Sequence, residues 1–208
     1  MKNSALKISI IGTGDMGGAI ATALSRRTES SIKVRGSTAA SASAAKLVKD
    51  LGVTQATDQD IAESDVVFVV VPAVALQSAI GALESFTGIA VSVSVSSTVG
   101  RDGLPSCAEQ IAAALPKAKV VNAFTSVWAS VVRDPGPGEK TSVFVCSDHD
   151  TGKATISRLV EEAGFEPIDG GKLTNALYAE VLGMFAVRLA LDSGYGQRIT
   201  FRAFKAGS

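Results

Sequence analysis

The chain has 208 residues, of which 20 are basic, 20 acidic and 46% apolar, a length that suits one α/β domain with a small appendage and can bury a proper core. Zero net charge, with no run of Lys and Arg, excludes an electrostatic pull toward nucleic acid or anionic lipid, so neither a nucleic-acid partner nor a membrane is expected. Two distant cysteines, Cys107 and Cys146, in no metal-binding or redox spacing, and a start that runs into a strand without a signal-peptide segment, give the expectation of a cytoplasmic protein.

In chain order, residues 6–11 form a short apolar run that ends at glycines and reads as a buried strand. Met16, Ala19, Ile20, Ala23 and Leu24 follow at helical spacing, with Arg26 and Arg27 at the end where cations suit a helix dipole. Residues 32–34 predict a second strand and 39–51 a helix closed by Gly52. In 66–71 almost every position is β-branched, the pattern of a strand buried on both faces. Pro72 stops it and 74–83 continues as a helix. Strands are expected at 90–95 and 119–124, with a helix over 106–115 between them.

The prolines and glycines of 133–140 predict a long turn or mobile flap. Beyond it come a strand at 142–146, an amphipathic helix at 151–163, a short strand at 166–168 and a long helix over 173–191, before a tail of flexible composition at 193–196. The apolar stretch 176–191 is short for a bilayer and carries Glu180 and Arg188. Alternating strands and helices imply an α/β fold of Rossmann type, a doubly wound and mostly parallel sheet with a small C-terminal strand-helix extension. The division expected is residues 1–125 for the dinucleotide-binding part and 126–208 for an extension that continues the sheet and adds a packing or dimerisation helix.

Gly12-Thr13-Gly14-Asp15-Met16-Gly17 directly follows the first strand and opens the first helix, the context in which Gly-x-Gly-x-x-Gly binds a dinucleotide. Gly12 permits the tight turn, Gly14 the approach of a pyrophosphate, and Gly17 close packing of helix on strand. An NAD site usually places an acid at the end of the second strand, whereas this chain has Val34-Arg35-Gly36-Ser37-Thr38. A cation and two hydroxyls there suit a 2′-phosphate, which points to NADP, although a solvated Arg35 on a surface loop is the plainer alternative.

The chain resembles the NADP oxidoreductase family that includes coenzyme F420-dependent NADP reductases and the cytosolic reductase domain of membrane metalloreductases. The resemblance rests on 11–15, Gly36-Ser37, 69–72, 120–124, 145–148 and 167–173, in the family's order and near its spacing. It implies Thr13, Gly14, Asp15 and Met16 at the pyrophosphate and Ser37 and Thr38 at the 2′-phosphate, where the family usually has Arg in place of Thr38. It also implies that Val71, Pro72 and Ala73 line the cofactor and that Ala129 sits near the nicotinamide. Thr125 stands where F420-reducing members carry His, Trp128 where they have Pro, and Leu177, Val181 and Gly183 at their polar and basic helix positions. That change suits a hydrophobic small-molecule redox acceptor better than an anionic one.

No catalytic base can be named. His149, the only histidine, lies in Ser147-Asp148-His149-Asp150 at an expected helix start, where Asp148 or Asp150 looks like an N-cap. Trp128 either covers the nicotinamide or fills a core or subunit seam. The last helix, apolar almost all round, is expected to lie centrally or to pair in a homodimer. The function expected is hydride transfer between NADPH and a flat acceptor such as F420 or a flavin. A non-catalytic NADP sensor or partner subunit and a short imine or hydroxy-acid reductase are the alternatives.

Overall fold

The computed structural model of the chain describes residues 5–38, 40–101 and 103–206. Its main sheet has six parallel strands, β1 (Lys7–Ile11), β2 (Ser31–Arg35), β3 (Thr54–Gln55), β4 (Val66–Val69), β5 (Ile89–Ser92) and β6 (Lys119–Asn122). Their order is β3-β2-β1-β4-β5-β6, so the direction of winding reverses between β1 and β4. Ligands of such sheets bind outside the strand carboxyl ends at that reversal.

The helices are α1 (Asp15–Arg27), α2 (Ala42–Leu51), α3 (Asp58–Ala62), α4 (Leu76–Gly81), α5 (Cys107–Ala114), α6 (Ala129–Arg133), α7 (Asp150–Glu162) and α8 (Ala176–Leu191). Because side chains alternate across a strand, neighbouring apolar residues feed two cores. Ile8, Ile10 and Phe68 pack with Ile20 and Leu24 of α1 and Ile156 of α7. Ile11, Val67 and Val69 pack on the opposite face with Leu76 and Ile80 of α4 and Ile111 of α5.

The expected fold class is the one observed, with differences at the element ends. Ala39, the expected start of the second helix, lies outside the described residues; α2 begins at Ala42, with the Ser41 hydroxyl accepting from Ala44 N. Strands expected to run to residues 71, 95 and 124 leave the ladder at Val69, Ser92 and Asn122. The long C-terminal helix opens with a 3-10 turn over Leu173–Asn175. With that turn it reaches 19 residues, apolar enough to cross a membrane by length and composition alone, although one face is buried within the fold.

Strands β7 (Ser142–Val145) and β8 (Glu166–Asp169) form a separate parallel pair. They meet the main sheet at one antiparallel bridge, Asn122 to Cys146, and not through a continuous ladder. Phe124, just beyond β6, is held at φ 63°, and its ring meets Phe165 edge-on at 5.8 Å.

The flap expected at 133–140 and the strand after it are tied to residues 198–203, which follow the tail expected at 193–196. Arg198 Nη2 donates to Asp134 O at 3.1 Å, Ser142 N to Phe201 O at 3.1 Å, and Ala203 N to Ser142 Oγ at 3.0 Å. Arg202 pairs with Glu139, and Phe201 stacks on Phe185 of α8. Neither Asp148 nor Asp150 caps α7. The N-cap is His149, without a side-chain bond, while Asp148 Oδ1 accepts from Leu173 N at 3.2 Å.

Candidate dinucleotide site and adjoining cleft

The three glycines of the turn answer to three different constraints. Gly12 sits at φ +103°, and a Cβ there would lie 2.0 Å from Val70 O. A Cβ on Gly17 would lie 1.8 Å from Gly12 O, so α1 approaches the turn as closely as backbone allows. At Gly14 a Cβ would meet nothing within 4 Å, which leaves that position open to a ligand. Gly14 is the N-cap of α1 and offers no side-chain acceptor. The first N–H groups of a 13-residue helix therefore face outward, with the positive end of its dipole behind them.

On one side of the turn lies a pocket of about 350 Å³ lined by Gly12, Thr13, Arg35, Ser37, Ser43 and Val71, among others. Thr13 Oγ1 is bonded to Ser43 Oγ at 2.7 Å, and Ser43 Oγ to Ser41 Oγ at 3.0 Å. The serine-rich start of α2 thus adds two hydroxyls that the motif did not predict. Thr38 is exposed and does not line the pocket; its carbonyl accepts from Ser41 N. A carboxylate does stand at this corner, since α3 brings Asp58 to the Arg35 guanidinium in an ion pair. Asp58 lies 23 residues beyond Arg35 and could not be read from the end of the second strand.

On the other side a cleft of about 430 Å³ opens at the reversal of the sheet. Gly14, Asp15, Met16 and Gly17 form one wall, and 70–72, 93–95 and 124–129 form the others, so Val71, Pro72 and Ala129 all face it. Ala73 turns away and packs against the second core. The Ser94 hydroxyl donates to Val71 O at 2.7 Å and fixes the segment that carries Pro72. Trp128 lines the cleft, and its buried Nε1–H has no protein acceptor among the described residues.

Helix α8 closes the far side. A Cβ on Gly183 would lie 2.2 Å from Thr125 O, so this glycine lets the helix lie against the loop beyond β6. Of the three helix positions singled out in the sequence, only Gly183 reaches the cleft; Leu177 and Val181 do not line it. Gln197, carried by the tail, was not anticipated; its backbone carbonyl accepts from Ser130 Oγ at 2.5 Å. Asp15 is the one ionisable side chain along these walls. His149 is exposed elsewhere, and no cluster of His, Cys, Asp and Glu suited to a metal occurs among the described residues.

Glu180 fixes α8 to the main domain. Its carboxylate is wholly buried and accepts from the N–H groups of Cys107 at 3.1 Å and Ala108 at 3.3 Å, at the start of α5. Burial pushes its pKa up to about 7, although those two bonds favour the ionised form. Burial, with the Glu180 charge beside it, pushes the Cys107 thiol up to about 12, and burial pushes Cys146 up to about 11. Both are inert packing residues.

A family model described as NADP oxidoreductase, coenzyme F420-dependent, matches residues 7–97. Metalloreductase STEAP3 of Rattus norvegicus is 28% identical over 181 residues, 85% of this chain but 36% of that protein, so the chain spans about a third of that relative. Among solved structures, a candidate F420-dependent NADP reductase from Arthrobacter sp. FB24 superposes with a TM-score of 0.78 at 24% identity, covering 96% of this chain and all of the other. The reductive aminase of Aspergillus terreus, solved with NADPH and ethyl levulinate, gives 0.65 at 17% identity over 92% of this chain and 63% of its own. At these identities the structures establish the shared fold. The stretch that builds the glycine turn, the corner after β2 and the strand leading to Pro72 matches the NADP oxidoreductase family model, so the resemblance read from the motifs is supported over residues 7–97.

Proposed function

We propose that this chain transfers a hydride between NADPH and a flat redox acceptor whose reacting ring system is apolar. The observation that carries the reading is the pairing of an open Gly14 corner with an adjoining cleft whose walls hold no cation. The N–H groups at the start of α1 would hold the pyrophosphate, and Thr13, Arg35, Ser37 and Ser43 the 2′-phosphate side. Thr38 lies exposed outside that group, and residues 1–125 supply most of the cofactor's contacts while 126–208 cover it. A bound nicotinamide supplies the hydride. The protein's part is alignment: Pro72, Trp128 and Ala129 bound the space in which two rings must lie face to face. A step of that kind needs no base, and Asp15 is the one ionisable side chain along the walls.

Trp128 is the only tryptophan and lines the cleft, so its fluorescence reports binding. Titration should show NADPH binding at least about tenfold more tightly than NADH, a difference of about 1.4 kcal/mol from the extra phosphate contacts. NADPH oxidation followed by absorbance with F420, FMN, FAD and ferric chelates should be accelerated by one of the flat acceptors. Tight NADPH binding with no acceleration by any of them would overturn the enzymatic reading in favour of a sensor. A short imine or hydroxy-acid reductase is the weaker alternative, since α8 carries no Lys or His to serve as its base.

The proposed assembly is a homodimer through α8. Tyr178, Val181 and Phe185 leave an apolar stripe 71%, 42% and 52% exposed on its outer face. Light scattering at micromolar concentration should give twice the chain mass, and Val181→Glu should give the monomer. A monomeric wild type would overturn the assignment.

A further inference from the structure

We propose that Arg133 is a pyrophosphate-binding residue, carried to the glycine turn by α6 from outside the nucleotide-binding half of the chain. The proposal rests on the dinucleotide reading above and extends it to a residue beyond the 7–97 stretch that matches the family. Arg133 Nη2 donates to the backbone carbonyl of Asp15 at 3.2 Å, which sets the guanidinium on the first turn of α1. With Thr13, Gly14 and Asp15 it lines a groove of about 440 Å³ that runs from the turn between α1 and α2. Arg133 is exposed, and among the described residues no carboxylate forms an ion pair with it.

Charge at the turn calls for such a group. The motif itself contributes one ionisable side chain, Asp15, whose negative charge stands where a pyrophosphate would bring two more. The helix end offsets about half a charge. The two other cations of the groove are badly placed to help. Lys46 is paired with Asp50, and Arg26 lies eleven residues along α1 from Asp15, roughly 16 Å at 1.5 Å per residue. A guanidinium already parked at Asp15 O needs only a side-chain rotation to present two parallel N–H groups to phosphate oxygens.

The base of Arg133 is fixed, while its head bonds a backbone carbonyl and no carboxylate among the described residues. Val131 and Val132 of α6 are buried in the core they share with α1. The tail holds α6 from its outer side, through Ser130 Oγ to Gln197 O and Arg198 Nη2 to Asp134 O. Ala129, at the other end of the same helix, faces the cleft. One short helix therefore spans the distance from the phosphate turn to the ring-binding space.

The test measures affinity by isothermal titration calorimetry in the full chain for two ligands, NADPH and adenosine 2′-monophosphate, which lacks the pyrophosphate. Arg133→Met should weaken NADPH about tenfold and leave adenosine 2′-monophosphate unchanged. Arg133→Lys, which keeps the charge but loses the fork, should fall between wild type and Arg133→Met. Added salt should weaken NADPH binding less in Arg133→Met than in wild type. Unchanged NADPH affinity in Arg133→Met, or equal weakening of both ligands, would overturn the proposal and leave Arg133 as a tie between α6 and α1. Failure of the wild type to bind NADPH would instead overturn the dinucleotide reading itself.

Discussion

Replacing Gly14 by valine is expected to raise the Kd for NADPH by about 100-fold or more, close to 2.7 kcal/mol, while the chain still folds. The expectation follows from what surrounds the position. Gly14 has φ −68°, a value open to any L-residue, and a Cβ there meets nothing within 4 Å. The cost to the fold is confined to a poorer N-cap, at most about 1 kcal/mol, or 2–4 °C in Tm for a chain of this size. The side chain would instead fill the corner that the cleft and the two neighbouring pockets share. Gly17→Val is the contrasting control. Its Cβ would stand 1.8 Å from Gly12 O, so it should abolish folding and binding together. A Gly14→Val protein that melts normally and binds NADPH as the wild type does would remove the pyrophosphate from this turn.

Stability should fall by about 3 kcal/mol between pH 4.5 and pH 7 on account of Glu180 alone. The native pKa of Glu180, about 7, lies above its ordinary 4.5, so the folded state holds a proton that the unfolded chain releases across that window. Proton uptake favours folding at the acid end, and the advantage is gone once the pH passes the native value. Urea denaturation at successive pH values measures the slope, and Glu180→Gln should remove most of it. Two groups face this carboxyl. Cys107 titrates near 12, while Glu109, on the same helix as Cys107, adds to the upward push by like-charge repulsion. Asp60 and Asp169, drawn below the ordinary range chiefly by their Lys33 and Lys153 hydrogen bonds, act at more acid pH and with the opposite sign. An unchanged slope in Glu180→Gln would mean that Glu180 is ionised throughout, held by the two N–H groups of α5.

The glycine turn was legible because each glycine answers a local demand. The sheet was legible because runs such as 66–69 and 89–91 are apolar without interruption. That same signal overshot. Val70, Val71, Val93 and Val95 continue the apolar runs but leave the ladder, and they are cleft wall rather than strand. An apolar position beside a ring-binding space and one inside a sheet look alike in sequence. Thr54–Gln55 was missed because two exposed residues carry no alternation, and Ala129–Arg133 because five residues are less than two helical turns.

At the site, sequence failed wherever tertiary structure does the positioning. Asp58, Ser43, Gln197 and Arg133 arrive from separate elements, and no spacing announces them. Val181 was read as an acceptor-facing residue from its position in a family pattern. At 100° per residue it points about 200° away from Gly183, the helix position that does face the cleft.

Phe124 and Phe165 make the two parts of the chain hard to trade. A non-glycine residue in the left-handed region costs about 1–3 kcal/mol and persists only where its surroundings impose it. Here the surroundings include the edge-on ring of Phe165, which lies between α7 and β8. Residue 124 begins the loop that forms the cleft floor, so the shape of the acceptor space is dictated partly from 41 residues downstream. A chimera joined between these two positions would inherit a floor from one parent and its mould from the other. Specificity in this fold is therefore inherited as a block, and a new acceptor preference is easier to reach by changing side chains on the loop than by shuffling segments across it.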